Sequence, residues 1–248
     1  MVGWLSLPAI LLLSIPFLTL VSVTPWHHLQ LAWGDNGSIL TSMTLGLLAL
    51  GIIIVIGTPA AWWLSRSRER KRLLGELLVM IPLLTPPLAM GILLVSAFGP
   101  YGVIGHWLTV LGMTLVNNPA AFVLAQVYGA LPYFIVVARS AFATVPDTIL
   151  EAGHTLGGSD WACFRRLTLP LALPGLASAV SLAWVRAVGE FGIVMIFAYF
   201  PQGIPVKLYI NLQNDGVDAV YTLLWVLLIV TLPLPIACYI LSKKTANE

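Results

Sequence analysis

Charge is what this sequence has least of. Only 9% of its 248 residues are Asp, Glu, Lys or Arg, while 59% are hydrophobic. A soluble domain carries about 25% charged residues. The shortage, with a mean hydropathy of +0.95, excludes an ordinary water-soluble domain and points to one integral membrane domain. Cysteine is equally scarce. Cys163 and Cys238 lie far apart, and neither has a companion at metal-ligand spacing, so no disulfide and no metal site are expected. There is no Gly-x-x-x-x-Gly-Lys-Ser/Thr loop, so the chain cannot cradle ATP phosphates itself. No basic patch lies outside the loops, which excludes a nucleic-acid partner. Two intramembrane Asp, a Ser with a His, or a His-Glu-x-x-His site would mark an intramembrane enzyme, and none occurs. No internal repeat of the kind found in secondary transporters is evident, and no strand pattern either.

What fills the chain is long apolar runs. Six candidate spans follow one another: residues 7–23, 38–64, 73–98, 120–142, 171–200 and 217–241. Each is long enough to cross about 30 Å of hydrocarbon as a helix. No Lys or Arg precedes the first run, so it reads as a span rather than a cleaved signal peptide. Gly57-Thr58-Pro59 predicts a bend in the second. Pro82, Pro86 and Pro87 predict a bent or broken third helix beside a cavity. Thr41, Ser42 and Thr44 line up near the outer end of the second span, to bond a neighbouring helix or to face a pathway. Between spans, residues 24–37, 99–119 and 199–216 read as outer segments. Tyr101, Ile104, Trp107, Leu108 and Leu111 suggest a short surface helix in the second of these. The adjacent His27 and His28 read as a wet loop feature. Ten of the twelve Lys and Arg residues fall on one side: 66, 68, 70, 71, 72, 139, 165, 166, 243 and 244. Lys207 is outside and Arg186 lies within a span. Six spans with both termini in the cytoplasm follow from the positive-inside rule.

One cytoplasmic loop is unlike the rest. Residues 151–170 read EAGHTLGGSDWACFRRLTLP, with a Gly pair and two adjacent arginines between two apolar runs. Asp147 or Thr148 can cap a helix start, with Glu151 near the positive end of its dipole. Gly157-Gly158 should end that helix, and Ser159 or Asp160 should cap a second. Two short helices in an L or U shape, lying along the membrane surface, are expected. An ordinary amphipathic surface hairpin would have the same outline.

This loop resembles the cytoplasmic loop of importer-type ABC transporter permeases. Their pattern is Glu-Ala-Ala, three residues, Gly, nine residues, Ile, one residue, Leu-Pro. Glu151-Ala152 opens it, Gly157 falls at the Gly position beside Leu156, and Leu169-Pro170 closes it. Gly153 stands for the second Ala and Leu167 for the Ile. The resemblance implies an all-α type I ABC importer permease. Its six transmembrane helices would carry a cytoplasmic coupling loop that docks into a separate ATPase subunit. It covers residues 38–244 as the permease core, with residues 1–37 a first helix and outer loop. It further implies a homodimer of permease subunits, two ATPase subunits, an external solute-binding protein, a multi-pass place in the cell membrane, and no cofactor on this chain.

The substrate class comes from two further stretches. Residues 81–91, IPLLTPPLAMG, with Thr85 and Pro86 at their centre, resemble the corresponding segment of molybdate and sulfate permeases. Residues 186–192, RAVGEFG, resemble the Arg/Ser-x-x-Gly-Glu-Phe/Tyr-Gly segment of permeases for tetrahedral oxyanions. Arg186 and Glu190 are four apart and share a helical face, so they can pair. If the span starts near Pro174, Arg186 lies about 18 Å along it, around mid-membrane, where a charge must be paired or face water. Gly189 and Gly192 allow close contact or a bend. The pair can be a packing salt bridge or part of a translocation gate. The resemblance implies molybdate or tungstate as the solute, with sulfate or thiosulfate, or another small solute, as the alternative.

Overall fold

The computed structural model describes residues 3–245, all of it helix and connecting turns among those residues. Helix α1 (Gly3–Val23) leads through a 3-10 turn to α2 (Asp35–Arg66). There follow α3 (Glu69–Leu84), α4 (Pro87–Phe98), the short α5 (Val103–Val110) and α6 (Pro119–Ala143). The polar loop after α6 holds α7 (Asp147–Thr155) and α8 (Asp160–Cys163). A π turn over Phe164–Thr168 joins α8 to α9 (Leu169–Val188), followed by α10 (Gly192–Phe197) and α11 (Ile204–Asp215). The chain closes with α12 (Tyr221–Thr231) and α13 (Pro233–Thr245). The expectation about the chain ends concerns residues 1–2 and 246–248, which lie outside this range.

Four helical stretches are long and apolar enough to cross a membrane: Asp35–Arg66, Pro119–Ala143, Asp160–Val188 and Val217–Ile240. The pair α3 and α4, bent by 107°, makes a fifth if it is one broken span, and Leu7–Val23 is a shorter apolar helix. The predicted break in the third span therefore falls at Thr85-Pro86. Pro86 has no N–H and holds Thr85 in extended conformation (ψ 125°), as a residue before proline prefers.

The core is α2, α6 and α9 packed together, α6 in the middle. Lipid tails are as apolar as leucine, so close approach rather than hydrophobic burial must hold these helices. Many of the contact residues are accordingly small: Ala49 and Ala61 of α2, Ala130 and Ala138 of α6, and Ala179 and Ala183 of α9, all buried. A Cβ on Gly57 would lie 2.6 Å from the Phe134 ring, and one on Gly175 would lie 2.4 Å from Ala141 Cβ. Helix α2 runs unbroken through Pro59.

Three boundaries differ from the sequence expectation. The fifth apolar run does not begin at Leu171. Helix begins at Asp160, and Leu169-Pro170 form its continuation rather than the end of a loop. The π turn immediately before Pro170, with Leu169 N–H donating to Phe164 O, takes up the disturbance a proline causes inside a helix. The same run stops at Val188, not Phe200, because Gly189 ends it. The segment expected as the third outer loop is not all loop, since α11 fills most of it. Pro205 in its first turn and Gly216 just past its end (φ 81°) were the signals. Its first free N–H, on Ile204, donates to buried Ser42 Oγ at 2.8 Å, the neighbour-helix option for that hydroxyl. Buried Asn211 donates to Asp35 Oδ1 at 3.0 Å.

Candidate functional site

Two places bring the singled-out residues together: the α7–α8 loop, and the broken end of α9.

In the loop, α7 ends at Thr155 and the chain turns at Gly157, whose φ is +83°. Glycine reaches that left-handed region without strain. The turn is tied by Gly158 N–H donating to Gly153 O at 3.0 Å. Ser159 then caps α8, accepting from Ala162 N–H at 3.3 Å. The expected cap at Asp147 or Thr148 does not form; Pro146 holds the N-cap position without a side-chain bond. Asp147 instead pairs with Arg66. Gly153 has a packing reason: a Cβ there would lie 2.8 Å from Leu167 Cδ1 and 2.9 Å from Cys163 Sγ. Glu151 and Ala152 are exposed on α7, and Leu156 is 88% exposed at its tip. A side chain at Gly157 would meet nothing within 4 Å. Trp161, also exposed, stacks on Phe164 at 5.6 Å.

The loop is fastened to the helices beneath it. Phe164 packs on Trp62 at 4.8 Å and lies 6.1 Å from Phe142, ring centre to ring centre. Arg66, the last residue of α2, donates to Val145 O at 3.0 Å and Phe142 O at 3.3 Å. It thus holds carbonyls at the C-terminal end of α6 while pairing with Asp147 of α7. In the sequence Arg66 is one of a basic cluster and no more, since nothing local links residue 66 to residue 147. Nearby, Glu76 pairs with Arg139 at 2.9 Å and Arg72 at 3.5 Å.

At the other place, α9 stops at Val188 and α10 begins at Gly192. Glu190 sits in the break with its side chain fully buried. One carboxylate oxygen accepts from Ile193 N–H at 3.0 Å, capping α10. The other lies 2.8 Å from an Arg186 Nη, though it takes no aligned hydrogen bond, so this contact is a charge pair. The Arg186 guanidinium also lies 5.4 Å from the centre of the Tyr133 ring, a cation–π distance. Room for the carboxylate comes from Gly129: a Cβ there would lie 2.6 Å from Glu190 Oε2. Gly192 lets α10 cross α4, since its Cβ would lie 2.6 Å from Pro87 Cβ. Buried Gln126 donates to Ala187 O at 3.0 Å, near the end of α9.

A cavity of about 40 Å³ joins these parts, lined by Thr85, Pro87, Gly129, Tyr133, Arg186 and Ile193 among others. Pro86 stands at the adjoining bend. Thr85 from the third apolar run and Arg186 from the fifth thus line one space. Thr85 Oγ1 donates to Ile81 O at 2.7 Å. Gly129 and Tyr133 of α6 were missed in the sequence; their positions relative to Pro132 carry no pattern that points at residue 190.

Residues 53–245 match the family described as "Binding-protein-dependent transport system inner membrane component". The chain belongs to that family. It is therefore the inner-membrane, multi-pass subunit of an ABC transporter, a transport subunit whose ATPase lies on a separate chain. A probable molybdenum ABC transporter permease protein of Haloferax volcanii is 36% identical over 196 residues, covering 77% of this chain and 71% of that one. A molybdenum transport system permease protein of Mycobacterium bovis is 32% identical over 237 residues, covering 92% and 89%. Among solved structures, an inward-facing form of the MetNI methionine ABC transporter matches with a TM-score of 0.69 at 19% identity. It covers 86% of this chain and 96% of that one. That likeness shares the fold of this permease family and says nothing of its solute.

Proposed function

We propose that this permease forms the path for a tetrahedral oxyanion, molybdate or tungstate before sulfate, into the cytoplasm. The observation that carries the reading is Arg186, a cation within a span, held at a helix break where it lines one cavity with Thr85. A dianion crossing a low-dielectric barrier needs positive potential on its way. Glu190 moderates that potential, so that an anion entering can also leave. The cavity of about 40 Å³ holds little more than a water molecule, too little for the anion as it stands. Passage then requires α4, α9 and α10 to part, and the break at Gly189 is where α9 can bend. The two molybdenum-permease relatives support the choice of solute.

In this reading the six apolar runs are six spans, both chain ends face the cytoplasm, and two copies of the permease enclose the path. The α7–α8 loop docks into the ATPase through Leu156 and the open space at Gly157. Arg66 and the Trp62–Phe164 contact pass its movement to α2 and α6. Reconstituted transporter with its ATPase and binding protein should take up labelled molybdate on ATP addition. Excess tungstate should compete strongly and sulfate weakly. Uptake of a cation or a neutral solute, with no oxyanion competition, contradicts the proposal.

A further inference from the structure

A cavity of about 400 Å³ opens at the inner end of α2, lined by Trp62, Trp63, Arg66, Ser67, Arg68 and Lys71. We propose that it binds the headgroup phosphate of an anionic phospholipid of the cytoplasmic leaflet. The chemistry is two-sided. Trp62 and Trp63 belong to the final turns of an apolar helix, at the level where tryptophan marks the membrane interface. Trp63 is half exposed and offers a face to a glycerol backbone or the start of an acyl chain. Immediately beyond it the chain turns through Ser67 and Arg68 into α3, which sets three cations around the same space.

The cations differ in how far they are committed. Arg66 is engaged with Asp147 and two carbonyls. Arg68 and Lys71 are exposed and, among the described residues, form no ion pair. Glu69 is the acid in this turn and does not line the cavity. The charge calls for an anion, and the tryptophans call for one with an apolar body, which favours a lipid over a free ion. Basic pockets at the cytoplasmic ends of membrane helices suit anionic headgroups for this reason. A lipid seated here would touch the residue that fastens the inner loop.

The test uses the intact transporter purified from bilayers of mixed phosphatidylglycerol and phosphatidylcholine, with retained lipid counted by mass spectrometry. The unmodified protein should retain phosphatidylglycerol selectively. The double variant Arg68→Gln with Lys71→Gln should lose that retention roughly thirtyfold, from two cations removed near an anionic surface. Arg70→Gln, in the same turn but outside the lining, should not. Thermal unfolding of both variants should match the parent. Excess inorganic phosphate should fail to displace the lipid; displacement would overturn the proposal in favour of a free-anion site. Equal loss in Arg70→Gln, or no loss in the double variant, would overturn it too. So would unchanged lipid with a loss of bound ATPase, which would make the pocket a protein contact.

Discussion

The α7–α8 loop and the α9 break both depend on glycine, for opposite reasons. Gly157 is needed for its backbone: φ is +83° and the space around it is open. Gly129 is needed for its missing side chain, since any Cβ would run into the Glu190 carboxylate at 2.6 Å. One region is built outward, with Leu156 and Trp161 exposed. The other is built inward, around a charge with no exposed surface. The difference separates two kinds of failure. Damage at the loop should abolish work and spare the fold. Damage at the break should cost stability first.

The largest effect is expected at Glu190. Glu190→Gln leaves Arg186 unpaired inside the membrane, and breaking a buried pair costs about 3–5 kcal/mol. Unfolding in detergent should show that loss, together with loss of uptake. A variant as stable as the parent would remove the break from the inward-built class. Next comes Gly157→Glu. It should abolish uptake and ATPase retention, while unfolding shifts by only about 1–2 kcal/mol, the strain for a side chain in the left-handed region. Normal uptake would remove the docking role of the turn.

Arg66→Ala probes the connection between the regions. It removes two hydrogen bonds to carbonyls and the pair with Asp147. About 2 kcal/mol should follow from the bonds, and little from the pair, because Asp147 is mostly exposed. Uptake per ATP hydrolysed should fall more than ATPase binding does. Equal falls would make Arg66 a mere support of the loop. The smallest effect belongs to Ser159→Ala, which loses the α8 cap at a cost of about 1 kcal/mol, with uptake reduced but present. An unfolding curve identical to the parent would show that the cap bond contributes nothing.

How much of this was legible in the sequence follows from the range of the forces involved. The loop was legible because its signals are local: Gly157 for the turn and Ser159 for the cap. The Arg186–Glu190 pair was legible for the same reason, as it needs only one turn of helix. The break at Thr85-Pro86 was legible from the prolines. What was not legible depends on distant chain. Asp147 looked like a cap and became the partner of Arg66, 81 residues away. Gly129 and Tyr133 matter only because α6 passes beside residues 186–190. Helix α11 was hidden because Lys207, Asn211, Gln213 and Asn214 make its sequence polar. Its burial is earned by Asp35 and Ser42, from another part of the chain.

The central claim is that the charge at the break serves passage of the anion and not packing alone. Arg186→Gln combined with Glu190→Gln tests it most directly, because removing both charges leaves no orphan in the membrane. Gln at residue 190 keeps an acceptor for Ile193 N–H and leaves no unpaired charge, the costly outcome of breaking a buried pair, so this variant should assemble with its ATPase and unfold close to the parent. The measurement is ATP-driven uptake of labelled molybdate by that double variant in proteoliposomes. The account predicts an assembled transporter whose uptake is lost. Uptake at the rate of the unmodified protein would contradict it and leave Arg186 and Glu190 as a packing pair.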